Sequence, residues 1–306
     1  MAKVKQDKAT KTKKTLSILA AVFVIFLILV GVGAALKARD VSLKPSIAVI
    51  PIQGEIGINN EVDPDTVSRL LDKADDDISV KAIILEINSP GGSGVASQEI
   101  AEAVAKAKKP TVAWIREVGA SGAFWIASAA DKVVASPGSV VGSIGVTSSY
   151  IDFANLMEKQ GVTYNRLVTG EFKDTGTPFK NLTFSERTYI LQKLEIIKNV
   201  FVQSIANNRN LTFEYVDNLA TGEIWLGSEA QQLGFVDVIG SKDEAKETAE
   251  QLAGISDSRL VSFAERRPTL LDLIGANNNF AFMIGRGIGS IFLDAGSDPN
   301  IPQISA

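Results

Sequence analysis

The 306-residue chain contains no cysteine and no histidine. Without cysteine there can be no disulfide and no thiolate metal site. The missing histidine excludes more: every Ser-His-Asp or Cys-His mechanism, and every imidazole-ligated metal. If the protein performs acyl transfer, some other side chain must act as the base. Positive charge is also unevenly supplied. Residues 1–39 carry a net +7, and the remainder carries −11 of the overall −4. An acidic body of this kind argues against non-specific nucleic-acid binding. What is plentiful is apolar material, 45% of residues against 22% charged, enough for a sizeable core.

One stretch lacks charge altogether. Residues 15–36, TLSILAAVFVIFLILVGVGAAL, form a 22-residue uncharged run with no polar stripe. At about 1.5 Å per residue it reaches roughly 33 Å, sufficient to cross a bilayer core of about 30 Å. A cleaved signal peptide is the alternative, but its apolar region is usually only about 7–15 residues long. We therefore expect a basic cytoplasmic tail (1–14), a transmembrane anchor (15–36) and a connector (37–45). Six lysines precede the span, so the positive-inside rule keeps the N-terminus cytoplasmic and places the body outside the membrane.

The body reads as α/β. Apolar, β-branched runs at 46–56, 80–92, 111–115 and 132–136 predict strands. Helical spacing is expected over 62–79, 94–108 and 123–130, and in a long amphipathic helix over 185–208 with Tyr189, Leu191, Leu194, Ile197 and Phe201 on one face. Near-continuous apolar strands alternating with helices indicate an α/β domain with a largely parallel sheet. A domain over 46–262 is expected, followed by an interface segment and tail over 263–306.

Three segments could carry chemistry. NSPGGSG (88–94) puts Gly91 and Gly92 at a strand end, where bare backbone N–H groups suit an oxyanion, though a tight turn needs the same residues. GASGAFW (119–125) places Ser121 between small residues ahead of an apolar helix; a nucleophile and an ordinary helix N-cap both fit. FKDTGTPF (172–179) offers Lys173 as a base. A free lysine, with a pKa of about 10.4, would need roughly 4 kcal/mol of environmental bias to act near neutrality. The competing reading is a surface lysine paired with Glu171 or Asp174.

Taken together, NSPGGSG, GASGAFWIASAAD (119–131), GSIGV (142–146), FKDTGTPF and GEIWLGSEAQQLGFVD (222–237) resemble the signal peptide peptidase A family of membrane-anchored Ser-Lys proteases. The likeness covers roughly residues 46–255. It implies Ser121 as nucleophile, Lys173 as base and Ser143 as support for the lysine amine, with Gly91 or Gly92 and Gly122 as oxyanion donors. It also implies a ClpP/crotonase-like fold of repeated ββα units, no cofactor, and a homo-oligomeric ring or dome in which the dyad meets across protomers. The implied substrates are cleaved signal peptides and other short or unfolded apolar peptides. Ala123, Phe124 and Trp125 after the serine, and Phe172 before the lysine, depart from the family's usual residues. A crotonase-type acyl-CoA enzyme would leave the dyad and the anchor without a role. A silent peptide-binding scaffold would keep the groove and lack turnover.

Overall fold

The computed structural model describes residues 23, 25–31 and 44–264. Of the expected anchor, residues 25–31 are helical with exposed side chains. The rest of it, the tail 1–14, most of the connector and residues 265–306 lie outside the described residues. Among the described residues no helix is long and apolar enough to cross a membrane.

Strand β1 (Ser46–Gln53) shows why the apolar runs are continuous. Ala48, Ile50 and Ile52 enter one core, while Ile47 and Val49 enter another. The same alternation holds in β2 (Val80–Ser89) and β3 (Thr111–Ala120), where Ile83, Leu85 and Ile115 face the first core and Ile84, Val112 and Trp114 the second. A strand's side chains alternate between faces, so a sheet covered on both must be apolar at every position.

The larger core lies under α1 (Pro64–Asp76), α2 (Gly94–Ala105), α3 (Gly122–Ser128) and the C-terminal half of a long helix described below. The smaller one lies under α8 (Lys242–Ala253), through Ala245 and Ala249. Helix α1 starts where the chain chemistry says it should. Asp63 caps it by accepting from the Thr66 N–H at 3.1 Å, and Pro64 fills the first turn, where no N–H is needed.

The sheet runs β6-β5-β3-β2-β1-β8, with β6 (Ile224–Leu226) and β8 (Arg259–Ser262) at its ends. All pairings are parallel except β5–β6. β3 changes partner along one edge: its first half pairs with β4 (Lys132–Ala135), which also pairs β7 (Val238–Ile239), and its last three residues pair with β5 (Val140–Gly142). Isolated bridges also join Ile56 to Val62 and to Gly92. The carboxyl ends of β2 and β3 therefore open beside a switch of strand partners, a place where α/β sheets expose ligand sites.

The remaining helices are α4 (Ala154–Lys159), α5 (Phe184–Arg209), α6 (Phe213–Leu219) and α7 (Gly227–Gln232). Helix α5 departs from expectation. Phe201, Val202, Ile205 and Ala206 are buried, but Tyr189, Leu191 and Ile197 on the expected core face are exposed. In its N-terminal half Glu186 is buried and Tyr189 stacks against Phe172, while Leu191 and Ile196 are exposed. At the other end, Phe263 is buried and its N–H donates to the Val49 carbonyl at 2.8 Å, so the compact unit extends past residue 262 to Ala264.

Candidate active site

Ser121 follows the last residue of β3 and precedes α3, with φ 53° and ψ −125°. A non-glycine residue here carries strain of about 1–3 kcal/mol, which the surroundings must hold in place. They do so through three backbone bonds. The Ser121 N–H donates to Gly142 at 2.7 Å, and its carbonyl accepts from Phe124 and Trp125 at 2.9 and 3.1 Å. The side chain makes no capping bond. Ser121 thus sits at the N-cap position, with a positive φ, without using its hydroxyl as a cap.

Ser143 has a similar backbone, φ 51°, and is joined to Ser121 through the intervening Gly142 carbonyl. Its N–H donates to the Glu223 carbonyl at 2.7 Å, and it is half-buried. Neither the Ser121 nor the Ser143 hydroxyl has a hydrogen-bond partner among the described residues.

The glycine loop closes against the serine turn. A methyl on Gly91 would lie 2.9 Å from the Ala120 carbonyl oxygen and from the Gly122 nitrogen; one on Gly92 would lie 2.1 Å from the Ile56 carbonyl oxygen, and one on Gly122 2.1 Å from Ser97 Oγ. Ser97 is fully buried and donates to the Ser93 carbonyl at 2.8 Å. Only glycine lets the two segments approach this closely. The Gly91 N–H is already committed to Ser89 Oγ at 3.1 Å. Those of Gly92 and Gly122 have no partner among the described residues, and both residues line a cavity of about 450 Å³ together with Ser121. Its walls are apolar: Trp125 stacks on Phe201 with centroids 4.5 Å apart, Ile197 lies alongside, and the Trp125 indole N–H donates to Ser204 Oγ at 2.8 Å.

Lys173 is placed differently. It is exposed and does not line this cavity. The competing reading, a surface pairing with Glu171 or Asp174, is not seen among the described residues either; Asp174 is held by Arg166 through two bonds of 2.7 and 2.8 Å. The Arg166 hydrogen bond keeps the Asp174 carboxyl below its ordinary range. Behind the loop, Glu186 is buried and accepts from Lys180, from the Thr183 N–H at 2.9 Å and from Thr183 Oγ1 at 3.0 Å. Its pKa falls to about 2, chiefly through the Lys180 hydrogen bond and then the Thr183 N–H, against the opposing effect of burial. Sequence reasoning passed over Arg166, Lys180 and Glu186. Only the capping box of Thr183 and Glu186 carried a local signal.

The family model of peptidase family S49 matches residues 103–256. A Methanocaldococcus jannaschii protein named as a protease is 33% identical over 298 residues, spanning 91% of this chain and 95% of its own. Protease 4 of Haemophilus influenzae is 40% identical over 214 residues, 67% of this chain, and the match spans only 34% of that longer protein. Among solved structures, a mutant of the 1510-N membrane-bound stomatin-specific protease in complex with a substrate peptide superposes with a TM-score of 0.51 at 16% identity. That match covers 76% of this chain and 96% of the other, and it establishes a shared fold.

Proposed function

Because this chain belongs to peptidase family S49, which includes the signal peptide peptidase A proteases, we propose that it is a membrane-anchored serine endopeptidase working through a Ser121–Lys173 dyad. The observation that carries this reading is the Ser121 turn. A strained serine opens into an apolar cavity beside two backbone N–H groups, and neither its hydroxyl nor those N–H groups have a partner among the described residues.

Ser121 Oγ attacks the peptide carbonyl while the neutral Lys173 amine takes its proton. The Gly92 and Gly122 N–H groups receive the developing oxyanion, and Gly91, its N–H engaged by Ser89, shapes the turn. The protonated lysine then returns the proton to the leaving amine, and water releases the acyl group. Ser143 stands beside Ser121 to orient the lysine amine.

An exposed Lys173 outside the Ser121 cavity accords with a dyad completed between protomers of a homo-oligomeric ring or dome. So do the exposed apolar residues Leu191 and Ile196 on the N-terminal half of α5. The apolar cavity suits cleaved signal peptides and unfolded apolar segments, which an anchor at 15–36 and an extracytoplasmic body would bring within reach.

The test is intact mass after exposing the full chain to a serine-reactive fluorophosphonate, with oligomer size measured in parallel. We expect one adduct per active protomer in the wild type, none in Ser121→Ala, and at least about a hundredfold slower labelling in Lys173→Ala. A verified oligomer that takes no adduct would refute the reading and favour a silent peptide-binding scaffold.

A further inference from the structure

The loop that carries Lys173 is built around an alternating row of charges. The Arg166 guanidinium reaches across the lysine's position. It donates to the Glu171 carbonyl at 2.9 Å on one side and to both Asp174 oxygens, at 2.7 and 2.8 Å, on the other. Asp174 Oδ1 lies 4.0 Å from Lys180 Nζ, and Lys180 pairs with the buried Glu186. Glu186 belongs to the capping box that begins α5. Next to the lysine, Phe172 stacks on Tyr189 of the same helix with centroids 4.8 Å apart.

This arrangement is more than a surface ion pair requires. A planar guanidinium that engages a carboxylate through two bonds fixes direction as well as distance. By gripping residues 171 and 174 together it constrains the two residues between them, Phe172 and Lys173, and the lysine side chain has no ion pair among the described residues. The row ends on α5, a helix of 26 residues whose Ile197 and Phe201 wall the Ser121 cavity. The loop is therefore mounted on a long helix that also walls its own chain's Ser121 cavity.

We propose that Arg166 is the positioning residue for Lys173: its clasp on Glu171 and Asp174, backed by Lys180 and Glu186, sets the direction in which the base is presented. The inference rests on Lys173 being the base. Arg166 does not touch the reacting atoms. Its removal is expected to impair the acylation rate and to leave binding in the cavity intact. A misplacement of about 1 Å can cost about a hundredfold in rate.

The experiment measures fluorophosphonate labelling of Ser121 in the full-length wild type, Arg166→Ala, Arg166→Lys and Lys173→Ala, resolved into the limiting rate and the half-saturating concentration. Thermal unfolding and oligomer size are recorded for each. We expect Arg166→Ala to lower the limiting rate about a hundredfold, and Arg166→Lys, which keeps the charge but cannot span both partners, about tenfold. Half-saturation should stay within about twofold. Added guanidinium ion should restore part of the rate to Arg166→Ala and none to Lys173→Ala, a response that a general loss of stability would not give.

Folded Arg166 variants that label within about twofold of the wild type would overturn the inference. If Arg166→Ala does not fold, Arg166→Lys decides by the same threshold. An unlabelled wild-type oligomer, or a Lys173→Ala variant as fast as wild type, would instead refute the dyad itself, so the two failures are distinguishable.

Discussion

Replacing Glu186 by glutamine tests whether the charge row contributes to the stability of the fold. The carboxyl is buried and held at about 2, against an ordinary value of 4.5. A group whose pKa is lower in the folded state stabilises that state above its unfolded pKa. It loses the contribution as pH falls through the folded value. The full difference corresponds to as much as roughly 3 kcal/mol at neutral pH.

Two features reduce what Glu186→Gln should cost. Glutamine still accepts from the Thr183 N–H, so the cap survives, and Lys180, 4.0 Å from Asp174, retains a carboxylate to turn toward. We expect a loss of about 2 kcal/mol at pH 7, shrinking by more than half at pH 3, where the wild type has forfeited most of its advantage. Urea unfolding of the full chain at pH 7, 5 and 3, followed by tryptophan fluorescence, reads both quantities. A loss below about 0.5 kcal/mol at pH 7, or one that is equal at pH 7 and pH 3, would refute the reasoning.

Substitutions at two further positions probe the cavity. Gly92→Ala should destabilise by about 3 kcal/mol and abolish fluorophosphonate labelling, since the added methyl meets a backbone carbonyl at 2.1 Å and φ is +155°; an unchanged melting temperature with normal labelling would contradict the geometry. Trp125→Phe should keep the stack on Phe201 but lose the bond to Ser204, at a cost of about 1 kcal/mol, whereas Trp125→Ala should cost about 3–5 kcal/mol. Equal losses from the two, measured by urea unfolding, would mean that the ring is not what supports the cavity wall.

Much of this protein was readable from local pattern. Helical spacing over 62–79 announced α1, and continuous apolar strands alternating with helices announced a largely parallel sheet. The absence of histidine, with small residues flanking Ser121, directed attention to a lysine base. These signals act over a few residues, because capping, alternation and glycine packing are set by near neighbours.

Other features depended on segments far apart in sequence. The three-residue strands β5 and β6 are too short to show a period, yet β5 supplies the Gly142 carbonyl that holds Ser121 in its strained turn. The periodicity of α5 correctly indicated an apolar face but not where that face would be covered, and Tyr189, Leu191 and Ile197 remain exposed. The Gly91 N–H looked free until Ser89 Oγ turned back to it. Residue types determined by themselves which chemistry was possible: a serine, a lysine and bare glycine amides, with no imidazole. Tertiary structure decided which amides stayed free, that the Ser121 hydroxyl was not spent on a cap, and that Lys173 stands outside its own chain's Ser121 cavity. Strain, burial and direction arise only where distant segments pack together.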